Sequence, residues 1–193
     1  MVRLGDSCHL VVPRLGPAWR SYGTSYGSRC GTSTAIRTRS ASWLTAVSWV
    51  GFGAALAEPF RDASVDKVAG IEARGFALAA LVAIELGAGF VAVRKPGAIH
   101  PGPKEQLQGP PDWRGQITHL QLQRHVVTAG ERVLVVDDWA ETGSKALTTR
   151  RLVEACGGRY VGLSLLVDQL PDRIRDELAP VARIVFAREV GAG

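Results

Sequence analysis

The sequence predicts an α/β fold: a parallel β-sheet core flanked by helices on both faces. Three observations lead there. Short runs of β-forming residues, such as GFVAVRK, RVLVVDDW and YVGLSLLVDQ, alternate with longer segments of helical apolar spacing. Each short run is nearly continuous in apolar character, the pattern of a strand buried on both sides. Glycine or proline punctuates most of the junctions between them.

The elements follow in order. WLTAVSWVGFGAALAEPF, residues 43–60, spaces its apolar residues near 3.6 and reads as a helix ending before Pro59. VDKVAGIE is a strand, ARG a turn, and FALAALVAIELG a buried helix stopped at Gly87. GFVAVRK is the second strand. Residues 96–118 hold five prolines and four glycines with no apolar period, so a long loop is expected there. A short segment HLQLQRHVV and a turn TAGE lead into the strand RVLVVDDW. TGSKALTTRRLVEACGG is a helix closed by glycine, YVGLSLLVDQ a strand, PDRIRDELAP a short helix opened by Pro and Asp, and VARIVFARE the last strand.

The 193 residues suit one such domain. We expect it over 43–193, with an irregular segment over 1–42. The net charge of +5 belongs to the N-terminal quarter: residues 1–50 hold six arginines against Asp6, which leaves 17 basic and 17 acidic groups beyond. A neutral globular part argues against nucleic acid as a partner. Residues 1–42 contain no lysine or glutamate and no sustained period. Three readings stay open for them: a disordered basic tail, an organellar transit-like segment, or a misplaced start or shifted frame. The richest apolar stretch, FALAALVAIELGAGF, is cut by Glu85 and glycines, short of the ~18 residues of a membrane span. Cys8, Cys30 and Cys156 have neither metal-like spacing nor the number for a disulfide framework, so the cytoplasm is the expected compartment.

One strand end asks for a ligand. In VLVVDDWAETGS the apolar run meets Asp137 and Asp138 where a parallel sheet receives its ligands, at the carboxyl edge. Ala140, Glu141, Thr142, Gly143 and Ser144 then lead into a helix, whose first N–H groups cradle phosphate. The bland alternative is a capped helix start with Asp as a turn former. GIEARGF, with Glu72, Ala73, Arg74 and Gly75, is a second strand end; Arg74 can fork onto phosphate oxygens, or merely pair with a glutamate at a helix cap. VRKPG, with Arg94 and Lys95, is a third, two cations that on any other loop are simply solvated. Three phosphate-friendly strand ends, with the paired aspartates on only one, describe a sugar bearing several phosphates.

GIEARGF, FVAVRKPG and VLVVDDWAETGS, in this order and at these separations, resemble the type I phosphoribosyltransferases, nearest the adenine phosphoribosyltransferases and their bacterial relatives, over roughly residues 56–168. The resemblance implies transfer of a phosphoribosyl group from phosphoribosyl pyrophosphate to a nitrogenous base, a purine such as adenine, with Mg²⁺ and release of pyrophosphate, usually in a homodimer. It implies that Asp137 and Asp138 hold the ribose hydroxyls directly or through the metal. It further implies that Ala140 to Ser144 wrap the ribose phosphate, that Glu72 to Gly75 form the pyrophosphate loop, and that Arg94 and Lys95 neutralise the leaving group. Residues 97–118, with Lys104 and Arg114, would be a mobile lid.

Two departures bear on these roles. Where the family continues Thr-Gly-Gly-Thr, this chain has Thr142-Gly143-Ser144-Lys145; Ser144 retains a hydroxyl donor and Lys145 adds charge. The lid holds PPDWRGQITHLQLQR with no tyrosine. Trp113 and Trp139 are candidates for stacking on a base, a lid or core position being the alternative. His100, His119 and His125 read as solvated. A non-catalytic protein that binds phosphoribosyl pyrophosphate or a nucleotide, as a regulator, is the second functional class.

Overall fold

The computed structural model describes residues 46–97, 101–112 and 114–186; the 1–42 segment, His100 and Trp113 lie outside them. In chain order the elements are α1 (Ala46–Ala57), a 3-10 turn (Glu58–Ala63), β1 (Lys67–Ile71), α2 (Gly75–Leu86), β2 (Gly89–Val93), β3 (Lys104–Pro111), β4 (Ile117–Gln123), β5 (Arg132–Ala140), α3 (Ser144–Ala155), β6 (Arg159–Asp168), α4 (Asp172–Glu177) and β7 (Val181–Phe186). Five of the strands form one parallel sheet in the order β2-β1-β5-β6-β7, and β3 pairs with β4 in a separate antiparallel hairpin. As the spacing predicts, α1 ends before Pro59, and Gly87 closes α2 in the left-handed conformation.

Alternation along the strands divides the core. Leu134 and Val136 of β5 and Val68 of β1 pack beneath α1 and α2, with Leu56, Leu78 and Val82. Val133 and Val135 of β5 and Ala69 and Ile71 of β1 face the other way, onto Leu147, Leu152 and Val153 of α3 and Leu120 and Leu122 of β4. Both sheet faces are thus covered, which is why these strands read as unbroken apolar runs. The register then decides what emerges at the carboxyl edge. Gly70 lies opposite Val136 and Ile71 opposite Val93, so the chain leaving β1 at Glu72 runs between Asp137 and Arg94.

The long loop expected over 96–118 is corrected. Much of it is strand β3, paired from Lys104↔Gln123 to Pro111↔Ile117. Glu105, Leu107 and Gly109 turn inward while Lys104, Gln106 and Gln108 turn out. With one large apolar residue in that alternation, the period is invisible to a hydrophobicity count. The prolines that argued against a strand sit at its irregular end, where the register shifts between Gln108 and Pro111 and a missing N–H breaks no ladder. Among the described residues no helix is long and apolar enough to cross a membrane.

Leu134, fully buried at the centre of β5, tests this arrangement. Leu134→Ala is expected to lower the unfolding free energy by about 2–5 kcal/mol, read from urea denaturation.

Candidate functional site

Three loops meet at the carboxyl edge of β1, β2 and β5. The last residues of β5 bring in Asp137 and Asp138. Asp137 is 5% exposed and accepts a hydrogen bond from the Asp138 N–H at 2.9 Å. Burial, and after it the neighbouring Asp138 charge, pushes the Asp137 carboxyl well above the ordinary carboxylate range; the Asp138 N–H and the Lys145 charge pull in the opposite direction. Asp138 is paired instead: its carboxylate accepts from Arg74 Nε. The Arg74 side chain is 75% exposed, so the pair is open to exchange with an incoming ligand. A Cβ on Gly75 would stand 2.8 Å from Asp137 Oδ1, which shows how closely the turn after β1 is laid over the end of β5.

Glu72 is engaged at the end of β2. Its carboxylate accepts the Lys95 N–H at 2.9 Å and lies 3.6 Å from Arg94 Nε. It therefore braces the end of β2. The Glu72–Ala73 peptide is cis. Ala73 and Arg74 stay exposed beside it, and so does Lys95, whereas Arg94 is half-buried.

After Ala140 the chain turns through Glu141 and Thr142 into α3. Gly143 has φ 73°, the left-handed region, and a Cβ there would come within 2.4 Å of Ile174 Cγ2. Backbone conformation and the floor beneath it both demand glycine. That floor is α4, held by Arg175. Its guanidinium pairs with the buried Asp168 at 2.9 and 3.2 Å and donates to the Leu170 carbonyl at 2.7 Å. The first N–H groups of α3 have no carbonyl of their own helix to bond. With the Thr142 hydroxyl they form a cradle suited to an anion. Lys145 stands in this first turn, where a cation opposes the helix dipole unless an anion sits between them. Ser144 departs from expectation: it is buried, and its hydroxyl donates to the Pro110 carbonyl.

A cleft of about 370 Å³ opens beside this loop, lined by Glu141, Thr142, Gln169 and Pro171. Next to it Trp139 is 39% exposed, and its indole N–H donates to Gln169 Oε1 at 3.1 Å. The structure thus brings Arg74, Gly75, Asp137 and Asp138 together and sets the Thr142–Lys145 turn directly after them. Lys104 is not part of this group. It starts β3, six residues before Pro110 and so about 20 Å away along an extended strand. Sequence reading missed Gln121, which is buried in β4 and donates to the Lys95 carbonyl at 3.3 Å. It also missed Gln169 and Pro171, polar or turn residues beyond a strand end that give no period or motif. Among the described residues no cluster of three or more His, Cys, Asp or Glu could hold a metal alone.

A family model described as phosphoribosyl transferase domain matches residues 52–188. The chain is 42% identical to the adenine phosphoribosyltransferase of Thermobifida fusca over 127 residues, covering 66% of this chain and 70% of that protein. The crystal structure of adenine phosphoribosyltransferase from Rhodothermus marinus superposes with a TM-score of 0.62 at 34% identity, over 70% of this chain and 77% of that one. The Saccharomyces cerevisiae enzyme, solved in complex with an imino-altritol bisphosphate and adenine, gives 0.64 at 26% identity, over 74% and 82%.

The buried Asp137 makes a pH prediction. An acid whose folded pKa is raised favours the folded state below its unfolded value, about pH 4, and loses that contribution as pH rises through the folded value. The ligand-free Asp137→Asn protein is therefore expected to melt higher than the parent at about pH 8, with the advantage gone near pH 4, as followed by calorimetry at the two pH values.

Proposed function

This chain belongs to the phosphoribosyl transferase family, and from that premise we propose that it joins adenine to the phosphoribosyl group of phosphoribosyl pyrophosphate and releases pyrophosphate. The observation that carries the proposal is the Asp137–Asp138 pair at the end of the central strand, with Arg74 on one side and the Gly143 turn on the other. Acids for hydroxyls, a cation for pyrophosphate and a helix start for the sugar phosphate stand in the order the donor presents them. The adenine-using relatives, and the yeast enzyme solved with adenine, support the choice of base.

In this reading the Thr142 hydroxyl and the backbone from Ala140 to Lys145 hold the ribose phosphate. Asp138 exchanges Arg74 for a ribose hydroxyl, and Asp137 lies behind it. Arg74, once released, turns with Lys95 and Arg94 to the pyrophosphate. A ring nitrogen of the base attacks the anomeric carbon while the bond to pyrophosphate breaks, through an oxocarbenium-like transition state. The protein forms no covalent bond. It positions the reactants, places negative charge near the developing cation and cations near the leaving oxygens, and keeps out water. The exposed Trp139, steadied by Gln169, offers the base a flat apolar face.

Mg²⁺ fits the described residues: two hard carboxylates, with no protein cage among those residues, match an ion that takes one or two carboxylates and completes its shell with phosphate oxygens and water. Bound with the donor, it would neutralise charge on the departing pyrophosphate. The exposed Ile84 and Phe90, on α2 and the edge strand β2, support a homodimer built on that face.

The test is pyrophosphate release from phosphoribosyl pyrophosphate and Mg²⁺ with adenine, hypoxanthine, guanine, xanthine, uracil or orotate. Release with adenine is expected, with kcat/KM roughly 100-fold lower in Asp138→Asn. Donor binding without release on any base would leave a phosphoribosyl pyrophosphate-binding regulator. Trp139 supplies a second reading: its fluorescence is expected to change on titration with adenine in the presence of pyrophosphate and ribose 5-phosphate. A signal surviving in Trp139→Phe would place the base elsewhere.

A further inference from the structure

Ser144 stands in the loop assigned to the ribose phosphate, yet its geometry answers to a different partner. It is 3% exposed, and its hydroxyl donates to the Pro110 carbonyl of β3. A hydroxyl carries one proton. While that proton serves Pro110 it cannot serve a phosphate oxygen, which offers the cradle no proton in return.

The neighbouring strand is shaped to receive the serine. Gly109 is buried against the first turn of α3. A Cβ there would lie 3.0 Å from Ser144 Oγ and 2.3 Å from Thr148 Oγ1. Thr148 turns its own proton inward, donating to the Ser144 carbonyl at 2.7 Å. A serine and a threonine four residues apart on α3 thus meet a glycine on β3, and the strand settles onto the helix start.

The hairpin is fastened at a second point. Gln121 of β4 exchanges backbone hydrogen bonds with Arg94 at 3.0 and 2.7 Å, and its amide donates to the Lys95 carbonyl. Lys95 in turn donates its N–H to Glu72. One hairpin therefore ties the phosphate turn to the loop that follows β1. Asp112, two residues beyond Pro110, accepts from the Arg114 and Gln116 N–H groups at 2.8 and 2.9 Å.

We propose that Ser144 is a positioning residue: it pins the β3–β4 hairpin to the phosphate turn and leaves the phosphate itself to Thr142, Lys145 and the backbone. The inference rests on the phosphoribosyl reading of that turn. It assigns the serine that replaces the family's second glycine a task in holding strand β3 against the phosphate turn.

The experiment compares Ser144→Ala with Gly109→Ala, which crowds the same contact from the other side without removing the hydroxyl. Three quantities are read: the Kd for ribose 5-phosphate by calorimetry, hydrogen exchange over residues 104–111, and kcat and KM with phosphoribosyl pyrophosphate and adenine. Both variants are expected to exchange faster over 104–111, to keep the ribose 5-phosphate Kd within about twofold of the parent, and to lose about tenfold in kcat. The proposal falls if exchange over 104–111 is unchanged in Ser144→Ala. It falls equally if Ser144→Ala loses about tenfold more ribose 5-phosphate affinity than Gly109→Ala, as a direct phosphate ligand would. A parent that neither binds ribose 5-phosphate nor turns over would instead defeat the phosphoribosyl reading, and the exchange comparison would still report on the pin.

Discussion

Everything at the site depends on the phase of β5. Its four valines and leucines, Val133 to Val136, are buried alternately on two faces of a parallel sheet, so the strand cannot slip by one residue without turning each set into the wrong core. That fixed phase delivers Asp138 to Arg74, keeps Asp137 buried, and starts the Gly143 turn at a set distance beyond. The apolar core specifies where the charges stand, although it contributes no charge itself.

The arrangement is uneasy without a ligand. Two carboxylates stand side by side, and burial of the more enclosed one, Asp137, disfavours its charged form. Lys145 sits at the wrong end of a helix for a cation. Each of these features opposes folding, and the ligand proposed for this site would relieve them. Strain of this kind at a site, against a well-packed sheet elsewhere, is what a stability–function trade-off looks like in residues.

Much of this was legible in the sequence. The strands announce themselves because burial on both faces removes polar residues, and the Asp137–Asp138 pair stands out against that background. GIEARGF and VRKPG were legible as strand ends for the same reason. The β3–β4 hairpin was not. Its inward positions are Glu105, Leu107 and Gly109, so the alternation is one of size and packing rather than hydrophobicity, and the prolines at its irregular end imitate a loop. Side-chain partners were hidden as well. Glu72 was readable as a site residue, but only the register of β1 against β2 shows that it serves Lys95 and Arg94. Ser144 looked like a phosphate donor because nothing local reveals Pro110, 34 residues upstream.

The strand order carries a consequence for how the protein is made. β1 and β2 leave the ribosome as a pair with one sheet face and one edge bare, because the partner of β1 on that side is β5, on the far side of the hairpin. The Ser164 hydroxyl, which donates to the Leu56 carbonyl of α1 at 2.8 Å, arrives later still, 108 residues downstream. The N-terminal half therefore spends its first seconds of synthesis as an open edge with exposed valines, the kind of surface that chaperones recognise and that pairs with a second nascent chain. Vectorial synthesis, rather than the finished fold, is the stage at which this topology is most vulnerable.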